Sequence, residues 1–419
     1  MIKIKSYKRS TYLVDDKIVI QRMDHISCVS SFIGNLKTLK TRKKQDVKIY
    51  FPKKNVSIFP DACLPMVGVM EFFKKEYGFS FEIHVPYKSY LKRCHFEEPL
   101  HLTSDEIKKC NNPLDKVFAY TDYKQVAELT QAFIDCISRT TVCKEGVFDG
   151  LFWCINEVMD NVLTHSQVST GYIMGQYHPK TKRLAICVYD NGIGIHKSFE
   201  GSSHSPATEL DSITLALQEG VGDGQGQGNG LYGLYKIVLE NGGSLAITSG
   251  HSSVMLKDGH MKKYGNVPVL SEEYARTVVD FQLDLSQKID ITSALSSIGG
   301  FEGFDIRIDN MIQDDDSIKY NVFENCSGTA TRKAGAELRK DALNVFVRTQ
   351  TPVILDFSGV RAVSSSFVDE FVAKLMVEMG PVKFNQAFKI VGMNSTVEHL
   401  CNRSIGMRMQ QTIENVKKI

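Results

Sequence analysis

The spacing of hydrophobic positions predicts a strand–loop–helix–strand unit near the N-terminus. Val47 to Phe51 alternates as a strand, and Ala62 to Tyr77 carries apolar side chains at steps of three or four, which is the helical period. Gly78 ends this helix, and Phe79 to Val85 alternates again. We therefore predict an N-terminal α/β domain over residues 1–115.

The last third of the chain repeats this order. Pro352 to Phe357 has the pattern of a buried strand, Phe367 to Met379 is an amphipathic helix that Ser364 to Ser366 can cap, and Phe388 to Val391 is the next strand. The two regions are similar enough to be diverged copies of one unit, and chance recurrence of βαβ order is the alternative. We predict a C-terminal α/β domain over residues 299–419.

Between these two regions, segments with the helical period and segments with the strand period lie on either side of a long loop at residues 196–230. This loop is rich in Gly, Ser and His and holds one short helical run. The order of elements predicts a central α/β sandwich over residues 116–290, so that the fold class is α/β with βαβ domains on either side. The predicted elements are helices at 123–139, 145–165 and 231–241 and strands at 171–177, 184–189, 244–249 and 277–285.

Composition narrows the function classes. The 419 residues are 23% charged and 42% hydrophobic with a net charge of +2, so nothing demands nucleic acid or an anionic membrane as partner, although nucleic acid is not excluded. No apolar run reaches the roughly 20 residues of a membrane span, and we find no secretory signal. The ten cysteines form no Cys-x-x-Cys pair, which favours reduced thiols in a cytoplasmic protein over disulfides or a metal site.

Two polar side chains share one face of the second predicted helix. Glu157 and Asn161 are four residues apart, with Asp160 beside them. A carboxylate can deprotonate an attacking water, and an amide oxygen suits hydrated Mg²⁺. By themselves, a Glu and an Asn on a helix surface are usually just solvated, so this pattern alone is weak.

Two further segments of the sequence combine glycines with a possible ligand-binding role. Asp190 comes directly after a predicted strand and precedes Gly192 and Gly194, so that its carboxylate could accept a hydrogen bond from an exocyclic amine while the glycines let a base approach; a tight Asp-Asn-Gly turn is the alternative. Alternating glycines over residues 222–230 continue into the helix that starts at Leu231, as in an anion cradle, and a flexible linker is the alternative.

In their order and spacing these three features resemble the GHKL (Bergerat-fold) superfamily, which includes gyrase-type and Hsp90-type ATPases, histidine kinases and anti-sigma-factor serine kinases. Residues 157–161 match its N-box, 190–194 its first glycine box and 226–233 its second. The resemblance covers roughly residues 125–285. It implies an ATP- and Mg²⁺-binding domain.

The resemblance also implies roles for single residues. Glu157 would be the general base, Asn161 the Mg²⁺ ligand and Asp190 the acceptor for the adenine amine. Residues 196–227 would form the ATP lid, and the role of His165 stays open between closing the helix and contacting phosphate. The remaining nucleotide-binding candidates are Gly192 and Gly194 near the base, Gly226, Gly228, Gly230, Leu231 and Gly233 near the phosphates, and Thr277 near the adenine.

The C-terminal region resembles STAS-like domains, the fold of anti-anti-sigma factors. The matching segments are residues 353–360 and 363–367, but Ser364 stands where that family has an aspartate and Phe367 where it has a glycine. A subgroup of unknown function that is attached to bacterial GHKL proteins fits better. Ser365 is therefore a weak candidate phospho-acceptor, and helix capping is the alternative. The N-terminal domain is a candidate for a more degenerate STAS-like copy.

These resemblances imply a regulatory ATPase whose nucleotide-ordered lid controls a protein partner or a homodimer through the STAS-like domains. The alternatives are a protein serine kinase of the anti-sigma type and a non-hydrolysing, ATP-gated interaction module. Histidine kinase activity is disfavoured because none of the eleven histidines is followed by an acidic residue. A topoisomerase would need a transducer domain where this chain has the STAS-like region.

Overall fold

The computed structural model describes residues 10–52, 56–85, 90–221, 229–267, 276–296 and 305–416. These residues group into two compact units. The first unit lies within residues 1–133 and 150–301, and the second within residues 134–149 and 302–419. Within the described residues, no helix has the length and apolar character that crossing a membrane requires.

The first unit begins with a four-stranded sheet in the order β1-β2-β3-β4. Strands β1 and β2 form an antiparallel hairpin, whereas β2, β3 and β4 are parallel neighbours connected through the helices α1 and α2. The elements are β1 (Thr11–Val14), β2 (Lys17–Ile20), α1 (Ser27–Thr41), β3 (Asp46–Tyr50), α2 (Pro60–Tyr77) and β4 (Ser80–His84).

The first half of helix α2 is apolar on all sides, whereas its last turns carry exposed charged residues. Proline at its first position, Pro60, has the dihedral angle that a helix start needs, and Gly78 ends the helix in the left-handed conformation with φ of 66°. Every residue from Ala62 to Met70 is buried. A helix without a polar face must be covered by more than one layer, and α2 is covered both by its own sheet and by the larger sheet that follows.

The larger sheet has eight strands in the order β11-β10-β9-β12-β8-β7-β6-β5, antiparallel except for the β5–β6 pair. Its strands are β5 (Leu100–His101), β6 (Val117–Tyr120), β7 (Gly171–His178), β8 (Arg183–Asp190), β9 (Ser244–Ser249), β10 (Ser252–Lys257), β11 (His260–Tyr264) and β12 (Thr277–Asp284). The helices of this part are α3 (Tyr90–Arg93), α4 (Ser104–Lys108), α5 (Tyr123–Thr140), α6 (Val147–His165), α7 (Gly194–Ser198), α8 (Glu209–Ala216), α9 (Gly230–Glu240) and α10 (Ile291–Ala294).

Alternate residues of these strands face opposite layers. On β6, Val117 and Ala119 join the hydrophobic cluster around α2. Phe118 lies against Phe133 of α5, with ring centroids 6.4 Å apart, and Tyr120 donates to the carbonyl of Met159 of α6 at 3.2 Å. The first unit is therefore a four-layer stack in which α2 covers one face of the eight-stranded sheet and α5 and α6 cover the other.

The second unit contains a three-stranded parallel sheet in the order β13-β14-β15. Its helix between β14 and β15 widens to a π turn, where Nε of buried Arg339 donates to the carbonyl of Glu370 at 3.0 Å. The elements are α11 (Ile306–Asp309), β13 (Ile318–Asn321), α12 (Val322–Asn325), α13 (Arg332–Thr349), β14 (Val353–Asp356), α14 (Ser365–Val368), a π turn (Asp369–Ala373), α15 (Lys374–Met379), α16 (Pro381–Ala387), β15 (Phe388–Val391) and α17 (Ser395–Val416).

The α/β class predicted from the sequence is confirmed. The predicted strands at 244–249 and 388–391 have the observed bounds, and the predicted helix at 231–241 is observed at Gly230–Glu240. The β10–β11 hairpin was missed, because β11 is exposed along its whole length and carries no alternating pattern. All ten cysteines are free thiols, as expected.

Candidate nucleotide site

Helix α6 places the predicted acid and amide on one face. Trp153, Glu157 and Asn161 follow one another at single turns, and Glu157 and Asn161 are half-buried. Burial raises the pKa of Glu157, and the nearby carboxylate of Asp160 raises it further. A carboxylate with a raised pKa holds a proton more readily, which suits a general base.

The start of α9 lies directly over this face. A Cβ atom added to Gly230 would be 2.5 Å from Oε2 of Glu157 and 3.3 Å from Nδ2 of Asn161. One turn later, a Cβ atom on Gly233 would overlap the ring of Trp153. Two helices can approach this closely only where one of them lacks side chains, which gives a physical reason for Gly230 and Gly233 of the second box.

Helix α9 begins without a side-chain cap from Asn229. The first N–H groups of a helix have no partner within the helix. Asn229, in the capping position, does not cap α9, and its Oδ1 instead accepts from the backbone N–H of Gly220 at 2.8 Å. The predicted phosphate-binding residues Gly226 and Gly228 lie outside the described residues, whereas Leu231 lies half-buried in this first turn.

Asp190 is buried at the end of β8, on the face that carries α5 and α6. Its Oδ1 accepts from the N–H of Gly192 at 2.7 Å, and Thr277 of β12 is its partner in the sheet register. Burial raises the pKa of Asp190 to about 7, although the Gly192 hydrogen bond and the positive charge of Arg276 both oppose the rise. The Asp190 carboxyl therefore changes its protonation state near neutral pH.

The turn after Asp190 is fastened to the end of α6. The N–H of Ile193 donates to the carbonyl of Ser166 at 3.0 Å, and a Cβ atom on Gly192 would be 2.5 Å from Cβ of Ser166. Gly194 has φ of 80°, a conformation that side-chain-bearing residues avoid, and it begins α7. Both predicted glycines are therefore required by the local geometry.

Thr277 lies beside Asp190 in the sheet and contacts a second hydroxyl group, that of Ser249. Its Oγ1 is 3.3 Å from Oγ of Ser249, which pairs with it in register from β9. The same Ser249 oxygen accepts from the N–H of Ile195 at 2.9 Å. Beside Gly194 and Ser249, between α7, α8 and the turn from β9 to β10, there is a cavity of about 910 Å³. Gly194 lines this cavity, whereas Glu157, Asn161 and Asp190 do not, so the cavity adjoins the predicted site on the side of the Asp190 turn.

The described parts of the three predicted boxes thus lie around α6: the first box on the helix itself, the Asp190 turn at its end, and the start of α9 over its polar face. Sequence reasoning missed Ser166, Ser249 and Arg276, which fix the turn and rim around Asp190. Ser249 has a recognisable signal, because it ends a predicted strand immediately before Gly250. The signal for Arg276 is weaker, since a charged residue before a strand is normally exposed.

The residues present fit a Mg²⁺–nucleotide complex. The Asn161 amide lies beside Gly230 at the start of α9, and amide oxygen is a ligand that Mg²⁺ accepts. Across the described part of the chain, no group of three or more His, Cys, Asp or Glu side chains could hold a metal ion. Mg²⁺ in nucleotide sites keeps several waters and binds phosphates, so it does not need such a cluster.

The candidate phospho-acceptor Ser365 is exposed at the first position of α14 in the second unit. The neighbouring Ser364 caps the helix, because its Oγ accepts from the N–H of Phe367 at 3.0 Å. Capping therefore accounts for Ser364 and leaves the Ser365 hydroxyl accessible.

Comparisons with known proteins bear mainly on the second unit. Residues 334–398 match the family described as "STAS-like domain of unknown function (DUF4325)". No curated protein matches the chain. Among solved structures, a chain entitled "Mycobacterial sensor histidine kinase MprB" is similar at 16% identity over 40% of this chain and 97% of that chain, with a TM-score of 0.23, which is too low to carry an argument. The C-terminal prediction is confirmed to this extent: the chain contains a STAS-like domain at residues 334–398.

Proposed function

We propose that the first unit binds ATP with Mg²⁺ and hydrolyses it, and that the STAS-like domain links this cycle to a protein partner. The observation that carries the proposal is the position of Gly230 over Glu157 and Asn161. This position brings an uncapped helix start, a carboxylate and an amide together. A helix start can bind a phosphate group, and a carboxylate can activate the water that hydrolyses it.

In this mechanism Asp190 accepts a hydrogen bond from the adenine amine, and the half-buried position of Thr277 suits contact with the same base. The N–H groups of Gly230 and Leu231, at the start of α9, bind phosphate oxygens. Mg²⁺, held by Asn161 and the phosphates, would neutralise charge on the phosphate chain. Glu157 takes the proton from the attacking water, and its raised pKa helps it to hold that proton.

One observation favours the kinase among the alternatives. The exposed hydroxyl of Ser365 on a STAS-like domain keeps a protein serine kinase as the second candidate. A non-hydrolysing, ATP-gated module would use the same pocket without proton transfer by Glu157. Homodimer formation and lid ordering remain part of the proposal.

The test incubates wild type, Asp190→Ala and Glu157→Gln with γ-labelled ATP. It measures ATP binding, release of labelled phosphate and label retained on the protein. Binding can be read from the fluorescence of Trp153, the single tryptophan, which lies against Gly233. We expect Asp190→Ala to lose binding by at least tenfold, and Glu157→Gln to bind ATP but lose turnover by about 100-fold or more.

Normal ATP binding by Asp190→Ala would show that the pocket is wrongly assigned. Label retained on the protein would indicate the kinase, and its loss in Ser365→Ala would identify the acceptor. Binding without phosphate release in wild type would indicate the ATP-gated module.

A further inference from the structure

A buried arginine lies behind the candidate adenine site. Arg276 immediately precedes Thr277 and is only 1% exposed. Burying a guanidinium is costly unless other groups compensate its charge. A buried cation at this place therefore calls for an explanation in terms of the groups around it.

Arg276 lies among aromatic groups from two layers. Its guanidinium carbon is 4.6 Å from the ring centroid of Phe72 on α2, which is within the range of a cation–π contact. It also interacts with the Tyr189 hydroxyl, and this partly opposes the rise in the Tyr189 pKa that burial causes. Arg276 is thus held from the side of α2, opposite to the face on which Asp190 lies.

The charge of Arg276 acts on Asp190. It lowers the pKa of that carboxyl against the larger, opposing effect of burial. The other titratable groups around Asp190 are Tyr189 of β8 and Tyr120 of β6, and Tyr120 also lies near Asp160 of α6. Burial raises the pKa of both phenols, so neither carries charge near neutral pH, and among the described residues Arg276 is the cation whose charge acts on Asp190.

The same side of the turn is attached to α2 by hydrogen bonds. The Tyr189 hydroxyl donates to Oδ1 of Asn191 at 2.6 Å, and Nδ2 of Asn191 donates to the carbonyl of Gly68 at 3.1 Å. The orientation of the Asp190 turn and the position of Arg276 therefore depend on the same helix, α2.

We propose that Arg276 is a positioning residue for nucleotide recognition: supported by Phe72 of α2, it keeps Asp190 as the carboxylate that selects adenine over guanine. This inference rests on the proposed function of the first unit. A carboxylate accepts a hydrogen bond from the 6-amino group of adenine but repels the 6-oxo group of guanine, whereas a protonated carboxyl can donate to that oxygen. Where the 6-position of the purine faces Asp190, the charge state of this carboxyl therefore determines whether adenine or guanine binds better.

A consequence concerns pH. If the carboxylate form binds ATP, affinity rises as pH increases and levels off above the pKa of Asp190, which is about 7. Removing the positive charge of Arg276 raises that pKa, so the rise in affinity moves to higher pH. A loss of packing alone would lower affinity at all pH values and leave the midpoint unchanged.

The experiment measures ATP and GTP affinity between pH 5.5 and 9, roughly 1.5 to 2 units on either side of that pKa, for wild type, Arg276→Lys and Arg276→Gln. We expect a wild-type midpoint near 7. In Arg276→Gln we expect it to shift upwards by about one pH unit, which is about a tenfold loss of ATP affinity on the rising limb. Arg276→Lys keeps the charge and should keep most of the ATP preference.

Asp190→Asn is the control that identifies the titrating group, because it should remove the pH dependence. Should Arg276→Gln fail to fold, Arg276→Met is the second neutral variant, since an unbranched apolar side chain often replaces a buried ion without loss of stability. An unchanged midpoint and an unchanged ATP/GTP ratio in a folded neutral variant would overturn the inference while the proposed function stood. Absence of ATP binding by wild type would instead overturn the proposed function itself.

Discussion

At the residue scale, the candidate site depends on side chains that are absent. Gly230 and Gly233 let α9 approach α6, and Gly192 lets the Asp190 turn meet Ser166. Neither Gly230 nor Gly233 has a positive φ, so their backbones would tolerate alanine. The reason for glycine at these two positions is the space that the facing side chain occupies.

Gly230→Ala tests this reading. Its added methyl group would meet the end of the flexible Glu157 side chain, so Glu157 must move while the backbone stays in place. We expect ATP turnover to fall at least tenfold, because the base is displaced, and ATP affinity to change less. Steady-state phosphate release and Trp153 fluorescence measure the two quantities.

The matched control is Gly34→Ala in α1, where a Cβ atom would meet nothing within 4 Å. It should leave turnover unchanged and stabilise the protein by up to about 1 kcal/mol. Turnover at the wild-type level in Gly230→Ala would mean that Glu157 does not act from this position.

At the element scale, α2 has two roles. Its apolar residues form the centre of the cluster between the two sheets, and Gly68 lets it contact β8, since a Cβ atom there would overlap the Tyr189 ring. The carbonyl of Gly68 also holds Asn191. The helix therefore supports both the stability of the first unit and the orientation of the Asp190 turn.

Gly68→Ala should separate α2 from β8. Overpacking a core of this kind typically costs about 1–3 kcal/mol, which urea unfolding can measure with Gly34→Ala as the glycine-to-alanine control. We also expect weaker ATP binding, because Asn191 loses its fixed partner. Destabilisation with unchanged ATP affinity would show that the turn is positioned without α2.

At the scale of the whole molecule, each unit has its own core and its own buried polar network. In the second unit, Asp341 is fully buried and accepts from Ser138 at 2.5 Å, Tyr320 at 2.6 Å and Arg307 at 2.8 Å. Ser138 belongs to residues 134–149, which are distant in sequence from the rest of this unit. Asp341 thus joins the two chain segments of the second unit.

Asp341→Asn should destabilise the second unit by about 3 kcal/mol, because it removes the nearer of the two carboxylates that face the buried Arg307, Asp341 at 2.8 Å and Asp135 at 3.6 Å. Burial alone would raise the pKa of Asp341, but Arg307 and the hydrogen bonds lower it below the usual value. The stabilisation is therefore complete above the ordinary aspartate pKa of about 4 and is lost as pH falls below it.

Thermal unfolding of wild type and variant at pH 7 and at pH 3.5 measures this difference. We expect a large gap at pH 7 that narrows in acid. ATP affinity should stay near the wild-type value, since the candidate site residues belong to the first unit. A gap of equal size at both pH values would mean that the Asp341 charge is not what stabilises the unit.

Local patterns determined the α/β class, most element positions and the three boxes. The helix at Gly230–Glu240 could be predicted because apolar residues recur at its period directly after the glycines. Asp190 could be singled out because it ends a strand and precedes two glycines. These are properties of neighbouring residues, so the sequence alone carries them.

Tertiary structure alone decided what surrounds those boxes. Phe72 and Gly68 read as ordinary positions of an apolar helix, and only the stacking of α2 on the eight-stranded sheet brings them to Arg276 and Tyr189. Ser249 meets Thr277 because β9 and β12 pair in register. Contacts between residues far apart in the chain depend on strand order and layer packing, which no local pattern encodes.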